Sequence, residues 1–521
     1  MRKTFFLTLT VYLSLLSRAP GQTSAYPVNP DSSLQIILDT LPGSHLPLKE
    51  AVSAALNGAV AVQSAKAVYM SARGVSRRES GAFDPQLFFT FNRLVQDQPQ
   101  GSFFSGASAL TTQQNTTTGG VSMNLPIGTN ITASLSGMSL ETNSTFANLN
   151  PQYTTFAGIS FRQPLLSGFF VSGYKNKEKA DRDEDAAKAR YDQEVLAVST
   201  QVEQSYWDLY AAERDYAVQN LVRDRAIAFL KDTETRAVSG LVGPDQVANA
   251  RTFLAEQEIA LLDREEQLER SSDDLAALIG VRPDSGRSRF IAADNPPSDI
   301  PVEDLQSLLD RAKENNLTLR AAKADVDAQH TLLRASSWEA LPKIDLVGSI
   351  GGNGLSGTAH DVYFNGDTLT TTWGGVPSDA VRQALHRDYP TWSIGVEVTI
   401  PLLLRSGLGE KDRIEAETIL AEQREIGLSR ALEEEVRAGY RDVSNGKRRL
   451  VAARQGVDAA QEQVRIGLIE FQNGRTTAFE LVRLGADFAT AQQRYTQALV
   501  RSAKAAAGLR QLTSGAYPSS R

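Results

Sequence analysis

The chain carries one long pattern twice. Val202-Glu203-Gln204-Ser205-Tyr206-Trp207-Asp208-Leu209 leads to Gly240 in RAVSGLVGPDQV and then to Leu278 in AALIGV. Val436-Arg437-Ala438-Gly439-Tyr440-Arg441-Asp442-Val443 leads to Gly474 in EFQNGRTTAFEL and then to Leu512. Val202 to Gly240, Gly240 to Leu278, Val436 to Gly474 and Gly474 to Leu512 are all intervals of 38 positions. No gap is needed, so the two stretches are copies of one structural unit. Each copy is preceded by a β-like run ending at proline, FRQPLL around Pro164 and VTIPLL around Pro401. Strands joined to very long helices, twice over, are the layout of a tube and not of a common enzyme fold.

Composition supports an extended or self-associating chain. At 521 residues the length would suggest about three ordinary domains, yet only 41% of the residues are hydrophobic. The chain is therefore expected either to be elongated or to bury surface against copies of itself. Cysteine is absent, which excludes disulfides, cysteine metal sites and a lipid anchor on an N-terminal cysteine. Residues 1–25 read as a secretory signal peptide: Arg2 and Lys3, an apolar run from Phe5 to Leu16, then small residues at Ala19, Gly21 and Ala25. The apolar run is shorter than the ~20 residues of a spanning helix. No other segment reaches that length, so a membrane crossing would have to use β-strands. The net charge of -7 becomes -10 once Arg2, Lys3 and Arg18 are removed. That discourages binding to nucleic acid.

Residues 26–45 form a Pro-, Ser- and Asn-rich leader, and 46–280 the first repeat. It opens with a helical stretch at 46–83, stopped by Pro85. Alternating runs follow at 86–94, 119–127, 131–140 and 153–162; in the first, Leu87, Phe89 and Phe91 oppose Gln86, Phe88, Thr90 and Asn92. From Gly173 the chain reaches Val238 without proline or a further glycine, which as a helix makes a rod of roughly 100 Å. Gly240, Gly243 and Pro244 break it before a shorter helix to Leu278. Residues 281–302 read as a linker, 303–512 as the second repeat and 513–521 as a tail. The second repeat has a helix at 303–340, strands within 343–400, a long helix from about Gly409 to Gln472 and a half-length helix at 477–512.

The clearest strands lie in the second repeat. Trp392, Ile394, Val396, Val398 and Ile400 share one face of WSIGVEVTI, against Ser393, Gly395, Glu397 and Thr399; Ile344, Leu346 and Ile350 oppose Lys343, Asp345 and Ser349. One-sided burial in an ordinary sheet gives the same pattern. A barrel in a membrane would turn the apolar face to lipid and the polar face to water. On that reading Leu346, Trp392, Ile394, Val396 and Val398 face lipid. Phe83, Phe169, Phe170, Trp338 and Trp392 sit at strand–helix junctions, where an interfacial belt would lie. In the second long helix Val443, Leu450, Val457, Val464 and Phe471 recur every seven residues, a seam that implies left-handed supercoiling. Leu209, Tyr216, Leu230 and Ala237 keep the equivalent seam, interrupted by Arg223. Four half-length helices beside two long ones suggest columns of equal length around a cylinder.

These features together resemble the outer-membrane efflux protein family, the TolC-like exit ducts of Gram-negative envelopes. The resemblance spans about residues 46–512 and rests on LPLKEAVSAALN, the QP/IP-L-L strand ends, YWDL, and the tip motifs GLVGPDQVANA and GRTTAFEL. It implies a fold that is mainly α with a membrane β-barrel portion: a long antiparallel coiled-coil helical barrel plus a trimeric β-barrel. It also implies a homotrimer in the outer membrane, extending into the periplasm, with a periplasmic adaptor (membrane fusion) protein and an inner-membrane transporter as partners. The family's usual protomer supplies four strands, two per repeat. Here the first repeat carries an extra alternating pair near 119–140 with Pro126 and Gly128, either a projecting hairpin or a lengthening of the wall. By resemblance the turns at Ala237–Pro244 and Phe471–Thr476 are the adaptor-docking tips, with Gly240, Leu241, Phe471, Gly474 and Arg475 at their centres. In the family an acidic residue six positions after the second tip glycine lines the narrowest part of the tunnel. That position is Glu480, with Arg483 one helical turn on; the first copy has Gln246 beside Asp245. On the resemblance, three copies would set a ring of Glu480 carboxylates in a narrow bore as a cation filter; Arg483 either neutralises that ring as a salt-bridged latch or forms with Glu480 an ordinary i, i+3 surface pair.

Other signals point nowhere. GNGLSG at 352–357 fits G-x-G-x-x-G, but TAHDVYFNGDTLTTTWGG follows instead of a helix, so it reads as a surface loop. His45, His330, His360 and His386 are isolated. No cofactor, no metal site and no nucleophile–base arrangement is expected. The chain thus reads as a passive duct for small molecules and not an enzyme, with outer-membrane lipid as its surroundings. The alternatives are the exit duct of a type I protein secretion system and, in a different class, a non-pore periplasmic coiled-coil scaffold.

Overall fold

The computed structural model describes residues 30–101, 105–283, 289–364, 366–473 and 475–515. The segment read as a signal peptide and the tip residue Gly474 lie outside them. The first repeat runs α1 (Pro30–Asp39), β1 (Ser44–Leu46), α2 (Leu48–Gly58), α3 (Val60–Ser80), β2 (Gln86–Pro99), β3 (Ala109–Asn124), β4 (Asn130–Thr142), β5 (Leu149–Pro164), α4 (Val171–Val238) and α5 (Pro244–Ile279). After β6 (Phe290–Ala292) come α6 (Leu305–Asn315), α7 (Leu317–Glu339), β7 (Lys343–Ala359), β8 (Val362–Phe364), β9 (Asp367–Leu369), α8 (Pro377–His386), β10 (Tyr389–Thr399), α9 (Arg405–Gln472) and α10 (Ala478–Thr513). Helices α4 and α9 are both 68 residues long, and α5 and α10 both 36. The repeat is thus reproduced element for element along this part of the chain.

Three details differ from the sequence reading. The leader is not featureless, since it contains α1 and β1. The helices read as continuous at 46–83 and 303–340 are each broken once, at Ala59 (φ -65°, ψ 126°) and at Asn316 (φ -61°, ψ 122°). A single extended residue ends one helix and starts the next; Asn316 also caps α7 by accepting the Leu319 N–H, while its side-chain amide donates to the Leu512 carbonyl. Residues 352–357 are not a surface loop but part of β7. Gly352 and Gly354 lie under α8, where a Cβ would collide with the carbonyls of Ala384 and Ala380. Those glycines serve helix–sheet contact, not a phosphate.

The chain divides into two compact units. One contains residues up to 59, 199–302 and 439–508. In it β1 and β6 pair in parallel, and α4 holds them: Tyr206 Oη donates to the Leu46 carbonyl and accepts from the Asp294 N–H, both at 2.9 Å. This explains the tyrosine of YWDL structurally. A small core joins α1 to α4 and α10 through Leu34, Ala217, Val218, Val222 and Ala489.

The other unit contains residues 60–198, 303–438 and 509 onward. Its centre is a six-stranded antiparallel sheet in the order β10-β7-β5-β4-β3-β2. The extra pair, β3 and β4, therefore lies inside the sheet between β2 and β5 and does not project. The β3–β4 turn is tight (Leu125 N–H to Thr129 O, 2.7 Å) and Gly128 takes φ +89°. Gly128 and Pro126 abut Gly168 and Gly173 at the start of α4, so the turn sits at the helix end of the sheet.

Candidate functional site

The sheet has two chemically distinct faces. Cross-strand partners share a face, and the ladder sets Trp392 opposite Ile350, Ile394 opposite Gly348, Val396 opposite Leu346 and Val398 opposite Ile344. The same face continues through Ile159 and Phe161 on β5, Ile131 and Leu135 on β4, Val121 on β3 and Leu87 and Phe89 on β2. Trp392, Ile394, Val396 and Val398 are 73%, 65%, 61% and 53% exposed; Leu346 is half-buried. An apolar face left this open on a single chain is unusual for a water-facing surface.

The opposite face is polar. Thr118 and Ser136 hydrogen-bond across β3 and β4 at 3.0 Å, and Ser349 and Ser393 across β7 and β10 at 2.8 Å. Arg162 pairs with Asp345 at 2.6 Å and with Glu397 at 2.7 Å, linking β5, β7 and β10. Lys343 lies 3.7 Å from Asp345. The sequence placed Asp345 and Glu397 on polar faces but could not join them through Arg162, because that needs the order of strands. At the helix end, Phe169 meets Trp338 edge-on at 6.3 Å and Phe170 meets Tyr174 at 6.1 Å, whereas Trp392, expected at a strand–helix junction, lies within β10 toward the end away from α9.

The two helix turns are built alike. Gly240 has φ +70°, and the Leu241 N–H reaches back to the Arg236 carbonyl at 2.9 Å. The Arg475 N–H makes the same bond to the Glu470 carbonyl at 2.8 Å. These six-to-one closures terminate both helices, and in the first the left-handed residue is Gly240. Leu241 is 75% exposed and Arg475 is exposed, while the Arg236 guanidinium stands 5.9 Å over the Phe471 ring. Next to the first turn, a cavity of about 550 Å³ is lined by Ala237, Val242, Pro244, Val247, Ala248 and Arg251.

Glu480 and Arg483 form an ion pair at 2.5 Å, with side chains 36% and 61% exposed. The Glu480 N–H also donates to Thr477 Oγ1 at 3.2 Å, so Thr477 caps α10 and Glu480 holds the third helical position, half of a capping box. The sequence contained that signal, T-x-x-E. Asp245 and Gln246 are exposed in the first turn of α5. Among the described residues no hydrogen bond or ion pair joins them to Glu480.

One buried titratable group went unnoticed in the sequence. Glu213 on α4 accepts the Ala292 N–H of β6 at 2.6 Å, and burial pushes its carboxyl up to about 8. Nothing local distinguishes it from the solvated glutamates around it. Among the described residues no cluster could hold a metal ion, and no helix is long and apolar enough to cross a membrane.

Comparison with known proteins matches this architecture. No curated protein is matched by sequence. Solved structures of like fold include the outer-membrane channel OprN, at 15% identity and TM-score 0.60 over 90% of this chain and 90% of that one. VceC from Vibrio cholerae matches at 16% and 0.60 over 90% and 97%. The open-state MtrE outer-membrane channel of Neisseria gonorrhoeae matches at 15% and 0.57 over 90% and 89%. At such identities the likeness is one of fold alone. The family match is broader in meaning: residues 127–281 and 308–515, one segment in each repeat and together more than half the chain, fit outer membrane efflux proteins. The chain is a member of the outer membrane efflux protein family, a family of channels and not of enzymes.

Proposed function

We propose that three copies of this chain form the passive exit duct of a tripartite efflux system in the outer membrane of a Gram-negative bacterium. Small molecules would be delivered by an inner-membrane transporter through a periplasmic adaptor. The observation that supports this reading best is the two-faced sheet: a continuous apolar face, and behind it a polar face of Ser, Thr and an Arg162-centred ion network. Lipid outside and water inside require that division. In this reading Leu346, Trp392, Ile394, Val396 and Val398 meet lipid. The turns at Gly240–Leu241 and Phe471–Arg475 receive the adaptor, and Glu480 with Arg483, Asp245 and Gln246 border the periplasmic gate.

Fractionation tests the proposal: the protein should sediment with outer membranes and leave detergent as a trimer, and a soluble monomer would end it. The face assignment has its own test. Val396→Arg should cost ~2–4 kcal/mol and Thr399→Arg much less; equal losses of assembled trimer would overturn the assignment. Cysteine at Ser239 or Asn473 should crosslink to an adaptor, and crosslinking only from residues 353–390 would refute tip docking.

A further inference from the structure

From the slope of the apolar face we infer that three copies close a single eighteen-stranded barrel by pairing β2 of one copy with β10 of the next, in a register sheared by six or eight residues. The inference rests on the duct reading above. Six strands per chain come from the sheet itself, and among the described residues its two end strands, β2 and β10, each have one unpaired edge. A row drawn straight across the sheet from Trp392 passes Ile350, Ile159, Ala133 and Val121 and ends on Leu87. On β10 the apolar residues lie on the helix side of that row, at Ile394, Val396 and Val398. On β2 they lie on the far side, at Phe89 and Phe91. On β4 and β5 they straddle it, at Ile131 and Leu135 and at Ala157 and Phe161. From β10 to β2 the apolar band thus crosses the sheet on a slant, with β3 the exception, its Val121 on the row and its Met123 on the helix side.

A slanted band is what a tilted barrel needs. Strands in closed barrels tilt by ~35–45°, so a level membrane cuts successive strands at successively shifted residues. Eighteen strands at ~4.8 Å spacing make ~86 Å across the strands, and a ~40° tilt requires a climb of ~72 Å, about 22 residues at ~3.3 Å each. That is about seven residues per copy. Side chains alternate faces, so an apolar-to-apolar match needs an even shift, and six or eight are the only neighbours of seven. These shifts set Val396 opposite Phe89 or Phe91. The slant within one chain runs in the same sense as this closure, so the band joins itself around the ring. β3 and β4 carry their share of the band, as a projecting hairpin would not. Barrel width grows roughly linearly with strand number, so this mouth is about half as wide again as one built from four strands per chain. Size selection then falls to the periplasmic end.

The chain has no native cysteine, so engineered pairs report cleanly. Antiparallel partners have Cα atoms ~4.5–5.5 Å apart, inside the range a disulfide spans. Outer membranes carrying Val396→Cys with Phe89→Cys, or with Phe91→Cys, should yield covalent trimer on copper-phenanthroline oxidation in one of the two. Leu87→Cys with Trp392→Cys, the unsheared row, should yield none. Crosslinking at the unsheared row, or at no pair while the protein remains an outer-membrane trimer, overturns the closure and leaves the duct reading standing. A protein that is not an outer-membrane trimer overturns both. If the variants fail to assemble, cryo-electron microscopy of the unmodified trimer decides by strand count: eighteen supports the inference, twelve overturns it.

Discussion

Along one flank, α4 and α9 carry opposite chemistry at equivalent positions. Asp185, Asp192 and Asp232 of α4 correspond across the repeat to Ile419, Ile426 and Ile466 of α9. The carboxylates have ion-pair partners within their own helix: Asp192 pairs with Lys188 and Asp232 with Arg236, both at 2.9 Å, and Asp185 lies 3.9 Å from Arg182. The isoleucines are 53%, 41% and 45% exposed. Meanwhile α4 buries Tyr206, Leu209, Ala217 and Ala226 completely. Two helices of one length and one ancestry therefore do different work. The first is packed within its own chain, and the second keeps apolar surface for something else, which in the duct reading is the neighbouring copy.

The comparison is most severely tested at Leu209. Leu209→Ala should cost ~2–5 kcal/mol, and by the same amount in dissociated chains as in the trimer; denaturation followed by circular dichroism would expose a smaller or assembly-dependent loss. Next is Glu213, whose counterpart in the second copy is Lys447, exposed and paired with Asp299 at 3.1 Å. The buried carboxyl titrates near 8 against an ordinary 4.5, so the folded chain holds its proton when the unfolded chain has lost it. Its contribution is intact below about pH 4.5 and declines as pH rises through about 8, by a few kcal/mol at most. Glu213→Gln should flatten that decline, and an unchanged pH profile would place the residue in water.

Ile426→Asp copies the first helix's chemistry onto the second. It should leave the folding of isolated chains nearly unchanged yet weaken trimer association by ~1.5–3 kcal/mol. Asp192→Ile should not weaken association; if the two changes behave alike, the flanks are not different in role. The smallest effect is expected at the tips, where Glu480 stands in place of Gln246. Loss of the Glu480–Arg483 pair should cost only a few tenths of a kcal/mol. Glu480→Gln should therefore leave the melting temperature in place and shift ion selectivity in single-channel recordings. An unchanged selectivity would reduce Glu480 to its capping role.

Local chemistry made much of this legible. Gly240 and Pro244 announced a turn because only certain backbones accept them, and the alternation from Trp392 to Val398 announced a two-faced strand. The T-x-x-E cap at Thr477 was legible too, though overshadowed by the gate reading of Glu480. Three features were hidden for the opposite reason. The break at Ala59 is marked only by the single Gly58 before it, the first half of β3, ALTTQQNTTT, reads as a polar Thr- and Gln-rich stretch, and Glu213 looks like any helical glutamate.

By itself, then, the sequence determined the duplication, the long helices, the turns and the apolar strand faces, because each depends on residues within a few positions of one another. Only the tertiary structure decided that β3 and β4 lie between β2 and β5, that Arg162 bridges Asp345 and Glu397, and that Glu213 is shut away beneath β6. Those facts depend on which distant segments become neighbours, and a strand's alternation specifies its faces without naming the strand beside it.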